Sequence, residues 1–206
     1  MDQEKYLKDI HDIKSLMNRS SQFMSLSGLA GVLAGVYALV GAFVSMRIID
    51  GSRNADGSST VTLESDPFKA ILLVAALVFI LALATAVILT YRKANRDGET
   101  FWNSTSKRLL INFFIPLVTG GIFTILLLRK EVYGLIAPVM LIFYGLACIN
   151  ASKYTLRDVR YLGLTIIILG LISTEFAGNG LEFWALGFGV CHIIYGGIMY
   201  FKYDRK

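Results

Sequence analysis

The chain has 206 residues, of which 55% are hydrophobic and 17% are charged; an average soluble domain has about 45–50% apolar and about 25% charged residues. Together with a mean hydropathy of +0.59, this composition argues against a water-soluble globule. The net charge is +5, but the basic residues lie between apolar runs and not in a continuous stripe. That placement is a topology signal and argues against a nucleic-acid-binding protein.

The first 22 residues are polar and carry charges of both signs. Within residues 2–21, Tyr6, Ile10, Ile13 and Met17 recur at offsets of four, three and four, which predicts an amphipathic helix. We expect this cytoplasmic helix either to lie on the inner membrane surface or to pack on the cytoplasmic mouth of the protein, and its near-zero net charge favours the protein contact. The apolar run that follows has no cleavage motif, so it is expected to be a retained span and not a signal peptide.

Six apolar runs follow, each approaching or exceeding the length that crosses a bilayer. They predict an all-α, polytopic transmembrane bundle of six helices within residues 23–201, with a cytoplasmic tail at 202–206. The sequence Ala177-Gly178-Asn179-Gly180 predicts a tight turn between the last two helices. The predicted spans are 23–46, 70–91, 110–128, 132–150, 161–176 and 181–201.

Positive charge sets the expected orientation. Fifteen of the twenty Lys and Arg residues lie in the amino-terminal segment, the second and fourth loops and the tail. Since cytoplasmic loops keep an excess of positive charge, both termini are expected in the cytoplasm of a bacterial cell, with the protein in the inner membrane. The 47–69 loop would then be the only sizeable outer loop, either a flexible connector or a segment with a ligand-binding or lid role.

Small residues suggest how the helices pack. Ser27, Gly31 and Gly35 recur every four residues on the first span, and Gly120 and Thr124 do so on the third, where Pro116 predicts a kink. Such spacing brings helix backbones close together. We interpret the Ser27, Gly31 and Gly35 face as a helix-packing surface, with a homo-oligomer contact as the alternative.

Three polar side chains inside the spans form a candidate intramembrane site. His192 lies near the middle of the sixth span with Tyr195 one turn further on, and Tyr144 lies within the fourth. An ionisable residue inside the membrane is a functional-site hypothesis, because its burial is costly; the alternative is a neutral imidazole that holds the bundle in register. Deep tyrosines, including Tyr37, need a hydrogen-bond partner on another helix.

Two further groups of charges are candidate sites. Glu175 and Glu182 flank the outer turn and could gather a cation or protons, or they are simply solvated. A basic rim on the inner face suits anionic lipid headgroups, although orientation alone also explains it. The rim consists of Arg92, Lys93, Lys107, Arg108, Lys153 and Arg157.

The chain has no recognisable hydrolase, metalloprotease or nucleotide-binding motif, and it predicts neither a cofactor nor a metal. The leading hypothesis is a non-enzymatic protein: a small transporter or channel with a polar cavity around His192, Tyr195 and Tyr144, or a regulatory scaffold. The alternative is an enzyme acting on a lipid or isoprenoid, with His192 and Glu175 or Glu182 as acid and base. A continuous polar cavity that reaches His192 from one side favours transport or catalysis, an acyl-chain-shaped side opening favours the enzyme, and a solid small-residue core without a cavity favours the scaffold.

Three stretches of the chain, 20–42, 141–155 and 183–203, resemble a family of small, uncharacterised multi-pass bacterial inner-membrane proteins. The resemblance covers nearly the whole chain and implies the multi-pass fold, but it carries no activity and no functional residue. Members are sometimes labelled carotene oxygenases. That label conflicts with this sequence, because its two histidines, His11 and His192, cannot form a multi-histidine metal centre.

Overall fold

A computed structural model describes residues 23–53, 61–62 and 64–205. The predicted amphipathic helix at 1–22 lies outside these residues, as do residues 54–60 of the outer loop. The described chain forms six helices and no strand. They are α1 (Gly28–Gly51), α2 (Asp66–Arg96), α3 (Ser104–Arg129), α4 (a 3-10 turn at Tyr133–Leu135 continuing into Ile136–Ala151), α5 (Asp158–Glu175) and α6 (Gly180–Asp204).

The surfaces of these helices suit lipid. Five of the six combine the length and hydropathy needed to cross a membrane. On the outer helices α2 and α3, large apolar side chains such as Leu73 and Ile115 are about 60% exposed, an arrangement that hydrocarbon tolerates and water does not. The predicted all-α membrane bundle is therefore confirmed. α5 is not among the five, because it is short and carries three charged side chains. Asp158 and Arg160 lie in its first turn and Glu175 lies at its end.

α2 and α3 begin before the predicted apolar runs because polar residues cap them. α2 begins at Asp66, where the Ser65 hydroxyl accepts a hydrogen bond from the Phe68 amide at 3.3 Å. α3 begins at Ser104, where Asn103 and Ser106 form a reciprocal capping box. Such caps satisfy the free amides of the first helical turn. The turn predicted between the last two helices is present as a 3-10 turn at Ala177–Asn179.

The helices pack as an open ring. Its order is α2, α1, α6, α5, α4 and α3, each helix lying against the next. Although α2 and α3 are consecutive in the chain, they are not packed against each other. This gap between the two outermost helices is called the α2–α3 seam below.

The contact between α1 and α6 depends on glycine. An added Cβ at Gly35 would lie 2.6 Å from the Gly189 carbonyl oxygen, and one at Gly196 would lie 2.5 Å from the Val32 amide nitrogen. The two backbones therefore touch, as the small-residue spacing predicts for Gly31 and Gly35. α6 of the same chain packs against these two glycines, and the homo-oligomer contact through Ser27, Gly31 and Gly35 stays a prediction.

A second close crossing joins α4 and α5. An added Cβ at Gly145 would lie 2.6 Å from the Gly163 carbonyl oxygen, and one at Gly163 would lie 2.7 Å from that of Gly145. This pair does not stand out in the sequence, because neither glycine has a small residue four positions away in its helix. Only the reciprocal contact shows that the two form one packing point.

Most of the described basic residues collect at one end of the bundle. There Phe23 donates its amide to the Tyr154 carbonyl at 2.7 Å, and Lys202 pairs with Asp158 at 3.0 Å. We call this the basic end; it holds the starts of α1, α3 and α5 and the ends of α2, α4 and α6. Ten of the fifteen described Lys and Arg residues lie here: Arg92, Lys93, Arg96, Lys107, Arg108, Lys153, Arg157, Arg160, Lys202 and Arg205.

Candidate functional site: an apolar cavity at the α2–α3 seam

A cavity of about 310 Å³ lies among the helices in the half of the bundle nearest the basic end. All six helices contribute to its wall, and it is partly open. Most of its lining is aliphatic or aromatic. The residues that α2 and α3 contribute on either side of the seam include Leu83, Ala86, Val87, Leu109, Leu110 and Phe113.

Tyr144 and His192 meet at the wall of this cavity. The Tyr144 hydroxyl lies 2.7 Å from His192 Nε2, and His192 Nδ1 lies 3.0 Å from the Gly187 carbonyl oxygen. Because a carbonyl can only accept, Nδ1 carries a proton and donates it to Gly187, while Nε2 bonds to the Tyr144 hydroxyl. Both nitrogens of the imidazole are therefore occupied, and the ring is 7% exposed.

A local change in α6 makes this arrangement possible. Residues Ala185–Val190 are π-helical, and the Cys191 amide bonds to the Leu186 carbonyl five residues back. In an α-helix that amide would bond to Gly187 instead. The Gly187 carbonyl therefore has no backbone donor from Cys191 and accepts a hydrogen bond from the His192 ring. Single π-helical turns within α-helices are common at functional sites.

The three deep tyrosines each have an interhelical partner, as predicted, but they do not share one site. The Tyr195 hydroxyl lies 3.0 Å from Thr165 Oγ1 on α5, and the Tyr37 hydroxyl lies 3.3 Å from Thr85 Oγ1 on α2. Of the proposed group, Tyr144 and His192 line the cavity and Tyr195 is directed to α5. The spacing of His192 and Tyr195 could not reveal this division, since it says nothing about which helix each residue faces.

Thr90 is a polar residue of the cavity that the sequence analysis missed. It lines the cavity from α2, is 5% exposed, and its Oγ1 has no hydrogen-bond partner among the described residues. A buried hydroxyl without a partner costs about 1–3 kcal/mol. A threonine near the end of an apolar run gives no sequence signal of this kind, because its partner depends on tertiary packing.

A buried ion pair lies beside the cavity at the basic end. Lys93 Nζ lies 2.6 Å from Asp204 Oδ1, with the two side chains 7% and 8% exposed. The other carboxylate oxygen of Asp204 accepts from the Gly28 amide at 2.8 Å, at the first turn of α1. Lys93 also donates to the Leu26 carbonyl at 3.0 Å. The Asp204 carboxylate therefore connects α1, α2 and α6. It also caps the first turn of α1, where the side chain of Ser27 makes no capping hydrogen bond.

This ion pair corrects one member of the predicted rim. Lys93 is buried and neutralised by Asp204, so it does not face a lipid headgroup. The other five members are exposed around the basic end, and Lys107 lies 5.6 Å from the ring centre of the exposed Trp102. Those five are Arg92, Lys107, Arg108, Lys153 and Arg157.

The two outer carboxylates are not part of the cavity. Glu175 and Glu182 are exposed and lie at the end of the bundle opposite the basic end. Neither has an ion-pair partner within the described residues. Ten residues of α6, about 15 Å of helix rise, separate Glu182 from His192, so the structure does not assemble the acid and base pair considered from the sequence.

Comparison of the chain with protein-family models, with curated proteins and with solved structures gave no match.

Proposed function

We propose that this membrane protein binds a single lipid chain in the apolar cavity behind the α2–α3 seam. The observation that carries the proposal is a cavity of about 310 Å³ whose lining is mainly aliphatic and aromatic. An apolar cavity gives water too few hydrogen-bond partners and takes up apolar molecules instead. The apolar molecules that surround a protein in a membrane are lipids.

The α2–α3 seam is a direct route by which a lipid chain enters the cavity from the bilayer. α2 and α3 both expose apolar side chains and are not packed together, so a hydrocarbon chain that passes between them never leaves an apolar environment. The cavity covers the half of the bundle nearest the basic end and reaches His192, twelve residues or about 18 Å of helix rise from Asp204. That depth is close to one leaflet of a bilayer, whose hydrocarbon core is about 30 Å thick.

The same features disfavour an ion channel and a solid scaffold. The described cavity wall contains no Asp, Glu, Lys or Arg, and both ring nitrogens of His192 are hydrogen-bonded. An ion in such a cavity would lose its hydration without compensation. The cavity is apolar and is not the polar cavity that the sequence led us to expect around His192, Tyr195 and Tyr144. A carrier for a lipophilic molecule fits this geometry, and the opening at the seam also suits the lipid-acting enzyme considered from the sequence.

Native mass spectrometry of the intact protein released from micelles tests the proposal. Ala86 lines the cavity, whereas Ala84 on the same helix is exposed on its outer surface. We expect the wild type and Ala84→Phe to retain one lipid after purification. We expect Ala86→Phe to lose it, because the ring fills the space.

A second measurement identifies the occupant. A photo-crosslinking amino acid at Val87, which lines the cavity, should capture lipid. Capture of the segment 1–22 of the same chain would instead assign the cavity to that segment. Equal lipid retention by Ala84→Phe and Ala86→Phe would contradict binding at this site.

The Tyr144 and His192 pair favours a second candidate, an enzyme that acts on the bound lipid. A tyrosine hydrogen-bonded to an imidazole at the end of an apolar cavity could transfer a proton to or from a lipid group. Proton transfer isomerises a lipid without changing its mass, so incubation of the protein with membrane lipids should then give a new isomer, separated by chromatography, in the wild type and not in His192→Gln. An unchanged chromatogram would leave the binding function alone.

We also propose that the basic end faces the cytoplasm of a bacterial cell, with the protein in the inner membrane and both termini inside. The excess of Lys and Arg at that end supports this orientation. Single cysteines at Ser104 and Gly178, in a background with Cys148→Ala and Cys191→Ala, test it with a membrane-impermeant maleimide. Gly178→Cys should react in intact spheroplasts and Ser104→Cys only after lysis; the reverse pattern would overturn the proposal.

A further inference from the structure

A second pocket, of about 230 Å³, opens at the basic end between the start of α1 and the ends of α2 and α6. We call it the polar pocket, because polar and apolar groups contribute about equally to its wall. It is separate from the apolar cavity. α2 contributes different residues to each, and among the described residues Ser27 alone lines both.

Two arginines of α2 give the polar pocket its charge. Arg92 and Arg96 lie about one helical turn apart, and both line the pocket. Arg92 is exposed and has no hydrogen-bond or ion-pair partner among the described residues. Arg96 donates its Nε to the Asp97 carboxylate at 3.0 Å. The terminal nitrogens of both guanidinium groups therefore remain as donors, and their planar forks match the oxygens of a phosphate.

The other charged residues of the polar pocket do not oppose an anion. Lys93 and Asp204 also line it, but both side chains are buried and they neutralise each other at 2.6 Å. The second Asp204 oxygen accepts from the Gly28 amide at 2.8 Å, so the positive end of α1 offsets its charge further. Even with Asp97 beside Arg96, the two arginines leave an excess of positive charge. This excess favours a ligand with a net negative charge.

The apolar half of the wall favours a lipid as the source of the phosphate. Leu89 lies three residues before Arg92 on α2, about 4.5 Å further into the membrane. Leu29, in the first turn of α1, is exposed and also lines the pocket. A lipid phosphate at the arginines would place its neighbouring carbons against these leucines, whereas inorganic phosphate would leave the apolar half of the wall without a partner.

We propose that the polar pocket binds the phosphate group of an anionic membrane lipid, held by Arg92 and Arg96, while the carbons next to the phosphate contact Leu29 and Leu89. The lipid comes from the leaflet at the basic end. This inference does not rest on the lipid chain in the apolar cavity, because the two sites have different walls and hold different molecules. Of the rim predicted from the sequence it uses Arg92, and it adds Arg96.

Titration of the intact protein in neutral micelles, followed by native mass spectrometry, tests the proposal. The polar pocket is open, so lipid lost to detergent on purification is added back. In Ala86→Phe, whose apolar cavity is filled, we expect one saturable molecule of dioleoyl phosphatidylglycerol and much weaker binding of dioleoylglycerol, which lacks the phosphate. Arg92→Gln/Arg96→Gln should raise the Kd for phosphatidylglycerol about ten-fold or more, because charged hydrogen bonds are lost.

Arg157→Gln/Arg160→Gln is the matched control. These two arginines are exposed at the start of α5, at the same end of the bundle, and they lie outside the polar pocket. The control removes the same charge and should leave the Kd nearly unchanged. An equal rise in Kd for both pairs would overturn the proposal, because the lipid would then respond only to the total charge of the basic end. Equal binding of phosphatidylglycerol and dioleoylglycerol would also overturn it.

Inorganic phosphate distinguishes the two sources of the group. The lipid source is supported if phosphate fails to displace phosphatidylglycerol, and it is overturned if phosphate displaces the lipid at an equal concentration. The same arginine variants with the native cavity make the result independent of Ala86→Phe. There, Arg92→Gln/Arg96→Gln should reduce the bound phosphatidylglycerol from two molecules to one. A reduction from one to none supports the polar pocket and contradicts binding in the cavity, and an unchanged number overturns the polar pocket.

Discussion

His192 shows what can be read from a single residue. Its position in an apolar run predicts a costly, partnered side chain, and the structure provides that partner. The partner itself was not predictable as a pair, because Tyr144 lies 48 residues away on another helix. The release of the Gly187 carbonyl depends on a π-helical turn that no sequence pattern in α6 announces. Thr90 and Asp204 were missed for the same reason, as their roles arise only where helices meet.

The Tyr144 hydroxyl should contribute measurably to stability. Tyr144→Phe leaves His192 Nε2 buried without a hydrogen-bond partner, and we expect it to lower the free energy of unfolding in mixed micelles by about 1 kcal/mol. Tyr161→Phe is the matched control, since that tyrosine is 56% exposed and its loss should have little effect. The double variant Tyr144→Phe/His192→Phe measures the coupling. If its cost equals the sum of the two single costs, the hydrogen bond contributes nothing.

At the scale of one helix, a hydrogen bond that α3 lacks within its own backbone is supplied by the neighbouring helix α4. Pro116 has no amide proton, so the carbonyl of Asn112 loses its helical donor. The Asn150 side-chain amide on α4 donates to that carbonyl at 3.0 Å. A kink at Pro116 was predicted from the sequence, but the hydrogen bond between the two asparagines on neighbouring helices was not.

Asn150 and Pro116 should therefore be energetically coupled. Asn150→Leu leaves the Asn112 carbonyl unsatisfied and should destabilise the wild type by about 1 kcal/mol. Pro116→Ala restores a backbone amide that can donate to the same carbonyl, so Asn150→Leu should cost clearly less in that background. A double-mutant cycle of unfolding free energies checks this; equal costs in both backgrounds would show that Asn150 does not serve the carbonyl.

The α1–α6 crossing allows a test with two adjacent glycines. A Cβ at Gly196 would lie 2.5 Å from the Val32 amide nitrogen, whereas one at Gly197 meets nothing within 4 Å. Gly196→Ala should force the helices apart and cost about 1–3 kcal/mol, while Gly197→Ala should be neutral or stabilise α6 by up to about 1 kcal/mol. Unfolding of both variants in mixed micelles decides the point. Similar stabilities would mean that α1 and α6 are not in backbone contact.

For the whole molecule, the sequence predicts the number, type and approximate limits of the helices, because long apolar runs between polar segments leave few alternatives. It does not predict the order in which the helices pack, since lipid-facing and helix-facing residues are equally apolar and the six runs have similar compositions. The cavity follows from that packing order. It exists because α2 and α3, neighbours in sequence, lie at the two ends of an open ring.

A protein built around an open ring should depend on its ligand for stability. If lipid fills the cavity of the folded state only, added lipid raises the free energy of unfolding, by about 2.7 kcal/mol at a hundred times its Kd. Ala86→Phe occupies the same space with its own ring, so without lipid it should be at least as stable as the wild type, because it fills a void. With added lipid it should gain much less.

Thermal unfolding of delipidated protein, with and without added phosphatidylglycerol, measures both effects. Ala84→Phe should follow the wild type because its ring lies outside the cavity. A gain of equal size in all three proteins would mean that lipid stabilises the outer surface of the bundle and that the cavity has no part in it.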